Sequence, residues 1–327
     1  MKVFPHNFNP RSNSGPNKFT RTLFQKLINE DKVTFSNQEE ADVEFCVIQQ
    51  QAHKVKPMVL RLDGIYFNSE QDFKQQNAPI KFAYDNADAV VFQSNFNKKL
   101  TETWFGPHRN GHVIHNAADS DFINLPDLKQ GVIPKFGNEM FWPWDHDVEV
   151  WSCAASWRPH KRLLQNVLYF LDHAPDNAVF AIAGGLGMDE AKQYMSMSPR
   201  IFVLGGLQYP QLISLYHRSS TFVHLAYLDH CPNVVIDAQA AGCKIICSST
   251  GGTHEVVDNG VMILEDEWDM KPCELYKPPN IDFSKAEEIT INDGLKDKEA
   301  GKKVSRFVKC VNSYYNVFKE VKNEKSK

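Results

Sequence analysis

Residues Phe222–Glu255 read FVHLAYLDHCPNVVIDAQAAGCKIICSSTGGTHE. Their first four, Phe222–Leu225, form a short apolar run, which is typical of a strand buried on both faces. A polar loop follows, and Pro232 stands where a first helical position would be, which proline tolerates because its missing N–H would have no partner there. Val234–Ala241 is predicted to be a helix and Lys244–Ser248 the next strand. This order predicts an α/β unit built on parallel strands.

Two carboxylates lie on either side of the predicted helix start. Asp229 is in the loop before the helix, and Asp237 follows within it after seven intervening residues. The helix N-terminus between them can hold an anion through its backbone N–H groups and the positive end of the helix dipole. The two acids can accept hydrogen bonds from sugar and ribose hydroxyls. The pattern therefore suits a nucleotide sugar; its alternative is an N-cap aspartate followed by a solvated helix aspartate.

The same stretch resembles the C-terminal signature of retaining glycosyltransferases of the GT-B fold, the group 1 or family 4 type. That signature has two glutamates with seven residues between them, then Ala-x-Ala-x-Gly, a strand, and a Gly-Gly turn before a further Glu. Here the corresponding residues are Asp229, Asp237, Ala238–Gly242 and Gly251–Glu255. Both glutamates are replaced by aspartate, so each of these two side chains is one methylene shorter than in the family.

Composition places the chain among ordinary globular proteins. It has 327 residues, a formal charge of −4 and seven cysteines. The small charge gives no reason to expect a nucleic-acid or membrane partner. An odd number of scattered cysteines favours reduced thiols and a cytoplasmic location, and no signal peptide or transmembrane run is recognised. Cys243 and Cys247 flank a strand and are expected in the core, so no metal site is predicted.

The N-terminal part predicts a second Rossmann-like unit. A loop at Asn7–Pro16 precedes a helix at Asn17–Asn29, with Asn17 as its cap and Gly15 free to approach a ligand. By resemblance, Gly15 belongs to the glycine-rich loop that faces the donor across the cleft; the alternative is a simple turn. The strand candidates are Val33–Phe35, Val43–Ile48, Met58–Leu62, Ala89–Gln93 and Val113–His115.

Asp63 ends one of these strand candidates, directly before Gly64. The carboxyl ends of parallel strands face the ligand crevice, which makes Asp63 a candidate catalytic residue that contacts an acceptor hydroxyl or the donor sugar. The alternative is a turn-forming aspartate. His53 is expected to be exposed, and Arg61 to form a surface ion pair.

The chain is predicted to have four parts. These are an N-terminal acceptor-side domain at 1–122, an interdomain linker at 123–147, a nucleotide-sugar-binding domain at 148–298, and a helix with a charged tail at 299–327. By resemblance, the last helix can cross back to the first domain. The resemblance also implies that the parallel sheets of the two domains face each other across a cleft.

Basic residues follow the first strand of the predicted donor domain. The family has an arginine and a lysine here that bind the donor diphosphate, and Lys161 corresponds to that lysine. Ser156 stands where the family has its arginine, so Arg158 is the candidate replacement and Arg162 a further one. The alternative is a solvated, basic helix start.

Further donor-binding residues are expected at the ends of the following elements. Gly184, Gly185 and Gly205 follow predicted strands, where glycine admits a nucleotide at close range, and Gly205 is placed beside the base by resemblance. The diphosphate is expected on the helix start at Asn233 and Val234, with Cys231 before it.

The resemblance implies metal-independent transfer of a sugar from a UDP- or GDP-sugar to a saccharide, lipid or protein acceptor, with retention and without a further cofactor. In that reaction Lys161 neutralises the leaving diphosphate, Asp229 holds donor-sugar hydroxyls and Asp237 holds the ribose. Two alternatives remain open: a nucleotide-sugar epimerase of the same fold and a non-catalytic nucleotide-sugar-binding protein.

Overall fold

The computed structural model describes residues 1–12, 14–131, 142–145, 147–290 and 305–324. Contacts between Cα atoms divide the chain into two compact units. The first contains Met1–Ala117, Asp269–Glu274 and the C-terminal helix, and the second contains Ala118–Trp268 and the segment that begins at Leu275.

The first unit is a parallel sheet of six strands with helices between them. Its strand order is β2-β1-β3-β4-β5-β6. The elements are β1 (Lys2–His6), α1 (Gly15–Asn29), β2 (Thr34–Phe35), β3 (Val43–Val47), β4 (Met58–Leu62), α2 (Phe73–Asn86), β5 (Ala89–Phe92), α3 (Asn95–Phe105) and β6 (Gly111–Val113). Every residue of β3, β4 and β5 is buried, which explains their nearly continuous apolar sequences.

Helix α1 and strand β6 of this unit differ from the sequence expectations. Helix α1 begins at Gly15 with Ser14 as N-cap, because Pro16 is accommodated in the first turn of a helix. Asn17 therefore does not cap the helix; its side-chain oxygen instead accepts a hydrogen bond from the Asn9 backbone N–H at 2.7 Å. Strand β6 ends at Val113, where the sequence predicted its start.

The second unit has a sheet of seven strands in the order β13-β12-β11-β10-β7-β8-β9. Its elements are α4 (Ser120–Ile123), α5 (Pro126–Lys129), β7 (Glu149–Ala154), α6 (Leu163–His173), β8 (Ala178–Ala183), α7 (Met188–Met197), β9 (Ile201–Gly205), α8 (Tyr209–Arg218), β10 (Thr221–His224), α9 (Asn233–Ala240), β11 (Lys244–Ser248), β12 (Asn259–Ile263) and β13 (Ala286–Thr290). All pairings except β12–β13 are parallel.

The acidic, proline-containing segment Glu265–Lys298 is predicted from its sequence to be irregular, and strand β13 corrects that expectation. It pairs antiparallel with β12, from Ala286 opposite Ile263 to Thr290 opposite Asn259. Its residues are mostly exposed, so it lacks the apolar run by which buried strands are recognised. An antiparallel edge strand on an otherwise parallel sheet is common in α/β folds.

Part of the predicted linker packs into the second unit. Ile123 of α4 and Leu128 of α5 are fully buried in its core, and the stacked rings of Trp142 and Trp144 pack against the same core. The predicted linker residues 132–141 and 146 lie outside the described residues.

A last helix, α10 (Arg306–Glu324), belongs to the first unit. Tyr314 and Phe318 are fully buried in the core that also contains Phe24 and Phe45. None of the helices in the described part of the chain combines the length and the apolar character needed to cross a bilayer.

Candidate active site

Strand order brings four loops to one edge of the second sheet. Strands β10, β7, β8 and β9 are neighbours and parallel, so the loops that leave their carboxyl ends lie side by side. Lys161 is the last residue of a short 3-10 helix, Pro159–Lys161, that follows β7. Asp229 lies in the loop after β10. Their Nζ and Oδ2 atoms are 2.5 Å apart. The structure therefore brings together two of the predicted residues that are far apart in the chain.

Three donors approach the Asp229 carboxylate. The Lys161 ammonium and the His224 Nε2 atom both contact Oδ2, and the His224 contact is 3.0 Å long. The backbone N–H of His230 donates to Oδ1 at 3.0 Å. Burial alone would raise the pKa of Asp229, but the Lys161 ammonium and the His224 hydrogen bond outweigh it and hold that pKa well below its usual range. Asp229 is therefore ionised at neutral pH.

His224 is a site residue that sequence reasoning missed. It is the last residue of β10, and its side chain is 3% exposed. Burial lowers its pKa more than Asp229 raises it, so the ring is neutral at neutral pH and its Nε2–H is the donor to Asp229. A polar residue at the carboxyl end of an apolar strand was the signal that could have found it.

The backbone fixes the loop that carries Asp229. The Asp229 carbonyl accepts a hydrogen bond from the Gly252 N–H at 2.7 Å, and the Tyr227 N–H donates to the His160 carbonyl at 2.8 Å. Gly251 has a φ of +78°, and a Cβ there would lie 2.5 Å from the Asp229 carbonyl oxygen. Only glycine allows this close approach of the two loops.

Arg162 does not have the predicted role of a diphosphate ligand. Its side chain is fully buried, and its two terminal nitrogens bind the Glu265 carboxylate at 2.8 Å each. The Pro279 carbonyl accepts a further bond at 2.7 Å, and the guanidinium lies 4.9 Å from the centroid of the Tyr227 ring. Arg162 thus has a structural role, because its guanidinium is fully buried and both of its terminal nitrogens bind Glu265, whereas the Lys161 side chain is 19% exposed. The sequence had given no signal for Glu265.

Arg158 remains accessible, whereas its neighbour His160 is buried. Arg158 is exposed and immediately precedes the 3-10 turn that ends at Lys161. The His160 ring stacks on Tyr276, and burial together with the Lys161 charge lowers the pKa of His160 to about 4. Within the described ranges, His, Cys, Asp and Glu side chains form no group of three or more that could hold a metal ion.

Helix α9 begins one residue earlier than predicted. Pro232 is its N-cap rather than its first helical residue, and Pro232 makes no side-chain hydrogen bond to the first turn. Asn233 and Val234, in the first turn, are half-buried, so this end of the helix is partly open to solvent. Cys231 is 7% exposed and packs in the hydrophobic core.

Asp237 is more buried than the sequence predicted. It is 6% exposed, one turn into α9. Burial and the Asp237 carboxylate, which accepts a hydrogen bond from the Tyr209 hydroxyl, raise the pKa of Tyr209. The Tyr209 ring stacks on Phe122, with 5.4 Å between centroids. Asp237 and Tyr209 thus form a polar pair that the sequence analysis did not anticipate.

The three predicted glycines lie at the carboxyl ends of β8 and β9. Gly184 has a φ of +118°, and a Cβ there would meet the Ala155 carbonyl at 2.1 Å, so tight packing within the unit already requires glycine. Gly205 has a φ of +68°, and both Gly185 and Gly205 have open space where a side chain would stand. Gly185 and Gly205 are therefore the positions at which a missing side chain leaves room for a ligand.

The two predicted residues of the first unit follow different strands of its sheet, β1 and β4. Gly15 opens helix α1, and Asp63 follows β4. Asp63 forms an ion pair with Arg61, which is fully buried and also donates to Asn116 Oδ1 at 3.2 Å. The expectation of a surface ion pair at Arg61 was wrong: its guanidinium lies 4.5 Å from the centroid of Phe19, since a buried aromatic face and paired oxygens can hold the charge.

Comparison with known proteins agrees with this architecture. Residues 154–271, about a third of the chain, match the model of the family described as Glycosyl transferases group 1. No curated protein matches the chain.

Solved glycosyltransferases resemble nearly all of the chain at low identity. HepE (Alr3699) of Anabaena, solved with UDP-glucose, is 14% identical, covers 82% of this chain and 86% of its own, and has a TM-score of 0.58. A glycosyltransferase of Rickettsia africae is 13% identical, with 98% of both chains covered and a TM-score of 0.58. AviGT4, a glycosyltransferase of avilamycin A biosynthesis, is 10% identical, covers 99% and 98%, and has a TM-score of 0.59. The fold is therefore that of the GT-B glycosyltransferases, and the group 1 match supports sugar transfer as the activity.

Proposed function

We propose that this protein transfers a sugar, with retention and without a metal ion, from a nucleotide-sugar donor to a saccharide, lipid or protein acceptor. The observation that carries the proposal is the Lys161–Asp229 pair on the same sheet edge as the N-terminus of α9, where the N-cap residue Pro232 makes no side-chain cap hydrogen bond. A diphosphate is the ligand that such a combination of ammonium and backbone N–H groups favours.

The chemistry follows from charge. When the bond between the sugar and the diphosphate breaks, negative charge grows on the leaving nucleotide. Lys161, the exposed Arg158 and the first N–H groups of α9, at Asn233 and Val234, would neutralise that charge at a fixed place. Such electrostatic stabilisation acts on the transition state more than on the ground state, and therefore accelerates the reaction.

The remaining predicted residues have more peripheral roles in this proposal. Asp237, together with Tyr209, would hold the ribose, and Gly185 and Gly205 would line the space for the base. Asp63 would contact the acceptor or the donor sugar, and Gly15 the donor. The seven cysteines are free thiols, which fits a reducing, cytoplasmic setting.

UDP-glucose is the first donor to test, because HepE was solved with it. Wild-type protein would be titrated calorimetrically with UDP, GDP and ADP and with their glucose conjugates, and transfer would be followed with a panel of saccharide acceptors. Lys161→Met should lower transfer by at least about 100-fold, since it removes a charge-assisted contact to the diphosphate. Lys192→Met, in the exposed helix α7, is the matched control and should transfer at the wild-type rate.

The same assays separate the alternatives. Undiminished transfer by Lys161→Met would reject the proposed site. Release of UDP with an epimerised product in the absence of acceptor would identify an epimerase. Saturable donor binding without turnover over the whole acceptor panel would identify a binding protein.

A further inference from the structure

The hydrogen bonds of Asp229 leave it little capacity for a sugar. Its Oδ2 accepts from both Lys161 and His224, its Oδ1 accepts from the His230 backbone, and its side chain is only 15% exposed. A carboxylate has about four acceptor positions. Most of that capacity is therefore directed at groups of the protein itself.

The His224 ring is held firmly in place. It is 3% exposed and stacks on the Phe222 ring at an interplanar angle of 14°. Its Nε2 is 3.0 Å from the oxygen that Lys161 contacts. The buried His224 ring can therefore hold the Asp229 carboxylate in one orientation. The carboxylate in turn can hold the Lys161 ammonium in place.

We propose that His224 and Asp229 are positioning residues that aim the Lys161 ammonium at the donor diphosphate, and that Asp229 does not itself bind the donor sugar. This inference rests on the proposed function. A lysine has a flexible stem of four carbons, and holding it in the bound geometry before the ligand arrives reduces the entropy lost on binding. The short aspartate suits this role because His224 and Lys161 both reach the same oxygen.

Comparison of two ligands tests the role of Asp229. Asp229→Asn removes the charge that orients Lys161 and nearly preserves the shape of the side chain. If Asp229 orients Lys161, the affinities for UDP and for UDP-glucose should fall by the same factor, about tenfold, because both ligands share the diphosphate. If the loss is confined to UDP-glucose, Asp229 binds the sugar and the inference is overturned.

Two substitutions with opposite properties test His224. His224→Gln retains an N–H donor near the position of Nε2 but loses the ring, and His224→Phe retains the ring but loses the donor. Positioning through the hydrogen bond predicts that the Phe variant loses about tenfold in UDP affinity and the Gln variant clearly less. The reverse order would mean that His224 acts only through packing.

A double-mutant cycle measures whether His224 affects UDP affinity through Lys161, which a purely structural role of His224 would not do. In the Lys161→Met background, His224→Phe should change UDP affinity by less than about twofold, because the ammonium that it orients is already gone. Full additivity of the two losses would overturn the inference. Denaturant unfolding of each variant verifies that it is folded.

Failure of the inference and failure of the proposed function give different results. If the wild-type protein binds none of UDP, GDP, ADP and their sugar conjugates, the proposed function is overturned, and the inference with it. Wild-type protein that binds UDP while the cycle is additive would overturn the inference alone.

Discussion

At the scale of single residues, the position of Asp229 depends on a glycine 22 residues later in the chain. The Gly251 φ of +78° and the 2.5 Å between a hypothetical Cβ and the Asp229 carbonyl oxygen leave no room for a side chain. The position of the Asp229 backbone, and with it the hydrogen bonds of its side chain, therefore requires glycine at position 251.

Gly251→Ala should lower the free energy of unfolding by at least about 2 kcal/mol, because it combines a left-handed backbone with a clash against backbone atoms. UDP affinity should fall as well, since the loop that carries Asp229 must move. Chemical denaturation and calorimetric titration measure the two effects. Gly206→Ala is the control: its site has nothing within 4 Å and no left-handed φ, and a stability loss as large there would contradict the explanation.

Burial of His160 predicts a dependence of stability on pH. Its pKa is lowered from 6.5 to about 4, so the unfolded chain binds more protons than the folded one between these values. The free energy of unfolding therefore falls as pH falls from about 6.5 towards 4. His108, His224 and His230 shift in the same direction and add to the effect.

His160→Phe retains a ring to stack on Tyr276 and removes one titrating group. The slope of unfolding free energy against pH, measured between pH 7 and 4.5, should decrease by up to about 1.4 kcal/mol per pH unit. Val167→Ala, in the same unit, should lower stability equally at every pH because no proton is involved. An unchanged slope in His160→Phe would refute this assignment.

At the scale of elements, helix α10 completes the core of the first unit. Phe318 is fully buried, with its ring centroid 6.2 Å from that of Phe24 and 5.6 Å from that of Phe45. Its apolar residues recur at helical spacing, and its packing partners are residues from the opposite end of the chain.

Phe318→Ala should destabilise the first unit by about 3–5 kcal/mol, the usual cost of truncating a buried phenylalanine. Differential scanning calorimetry would detect the lowered transition. Asn316→Ala, at an exposed position of the same helix, should change stability by less than about 0.5 kcal/mol. Equal effects of the two substitutions would mean that the helix is not docked through Phe318.

Helix α2 illustrates how an element boundary can be misread. The sequence allows a helix at Pro79–Asn86, between two of the strand candidates. The helix starts at Phe73, and Asp72 caps it by accepting a hydrogen bond from the Gln75 N–H at 3.0 Å. Proline inside a helix removes one backbone hydrogen bond, yet the helix continues past Pro79 and buries Ile80 and Ala83.

At the scale of the whole molecule, the two units have separate hydrophobic cores. Lys161, Asp229 and α9 all belong to the second unit. Leu27→Ala, in the core of the first unit, should cost about 2–5 kcal/mol of stability, yet leave UDP affinity within about twofold at temperatures where the protein is folded. Thermal unfolding and calorimetric titration provide the two measurements, and a large loss of affinity would show that the nucleotide site needs the first unit.

The fold was predictable because its signals are local. Short apolar strands such as Met58–Leu62 and Lys244–Ser248 have the bounds that the sequence predicted, and parallel α/β topology follows from their alternation with amphipathic helices. Strand β13 was missed because an exposed edge strand has no apolar run. The candidate site was predictable only in part: Lys161 and Asp229 were identified through their motifs, whereas His224 and Glu265 belong to none of them.

By itself, the sequence determined where strands and helices form, because apolar periodicity and capping are properties of neighbouring residues. Tertiary structure alone decided which charges meet. Lys161 and Asp229 are 68 positions apart, and they come into contact because β7 and β10 are adjacent in the sheet, an order that no local pattern encodes. The same applies to Arg61 and Arg162, whose burial depends on oxygens and rings supplied by distant segments, since a charge can leave water only where such partners are already assembled.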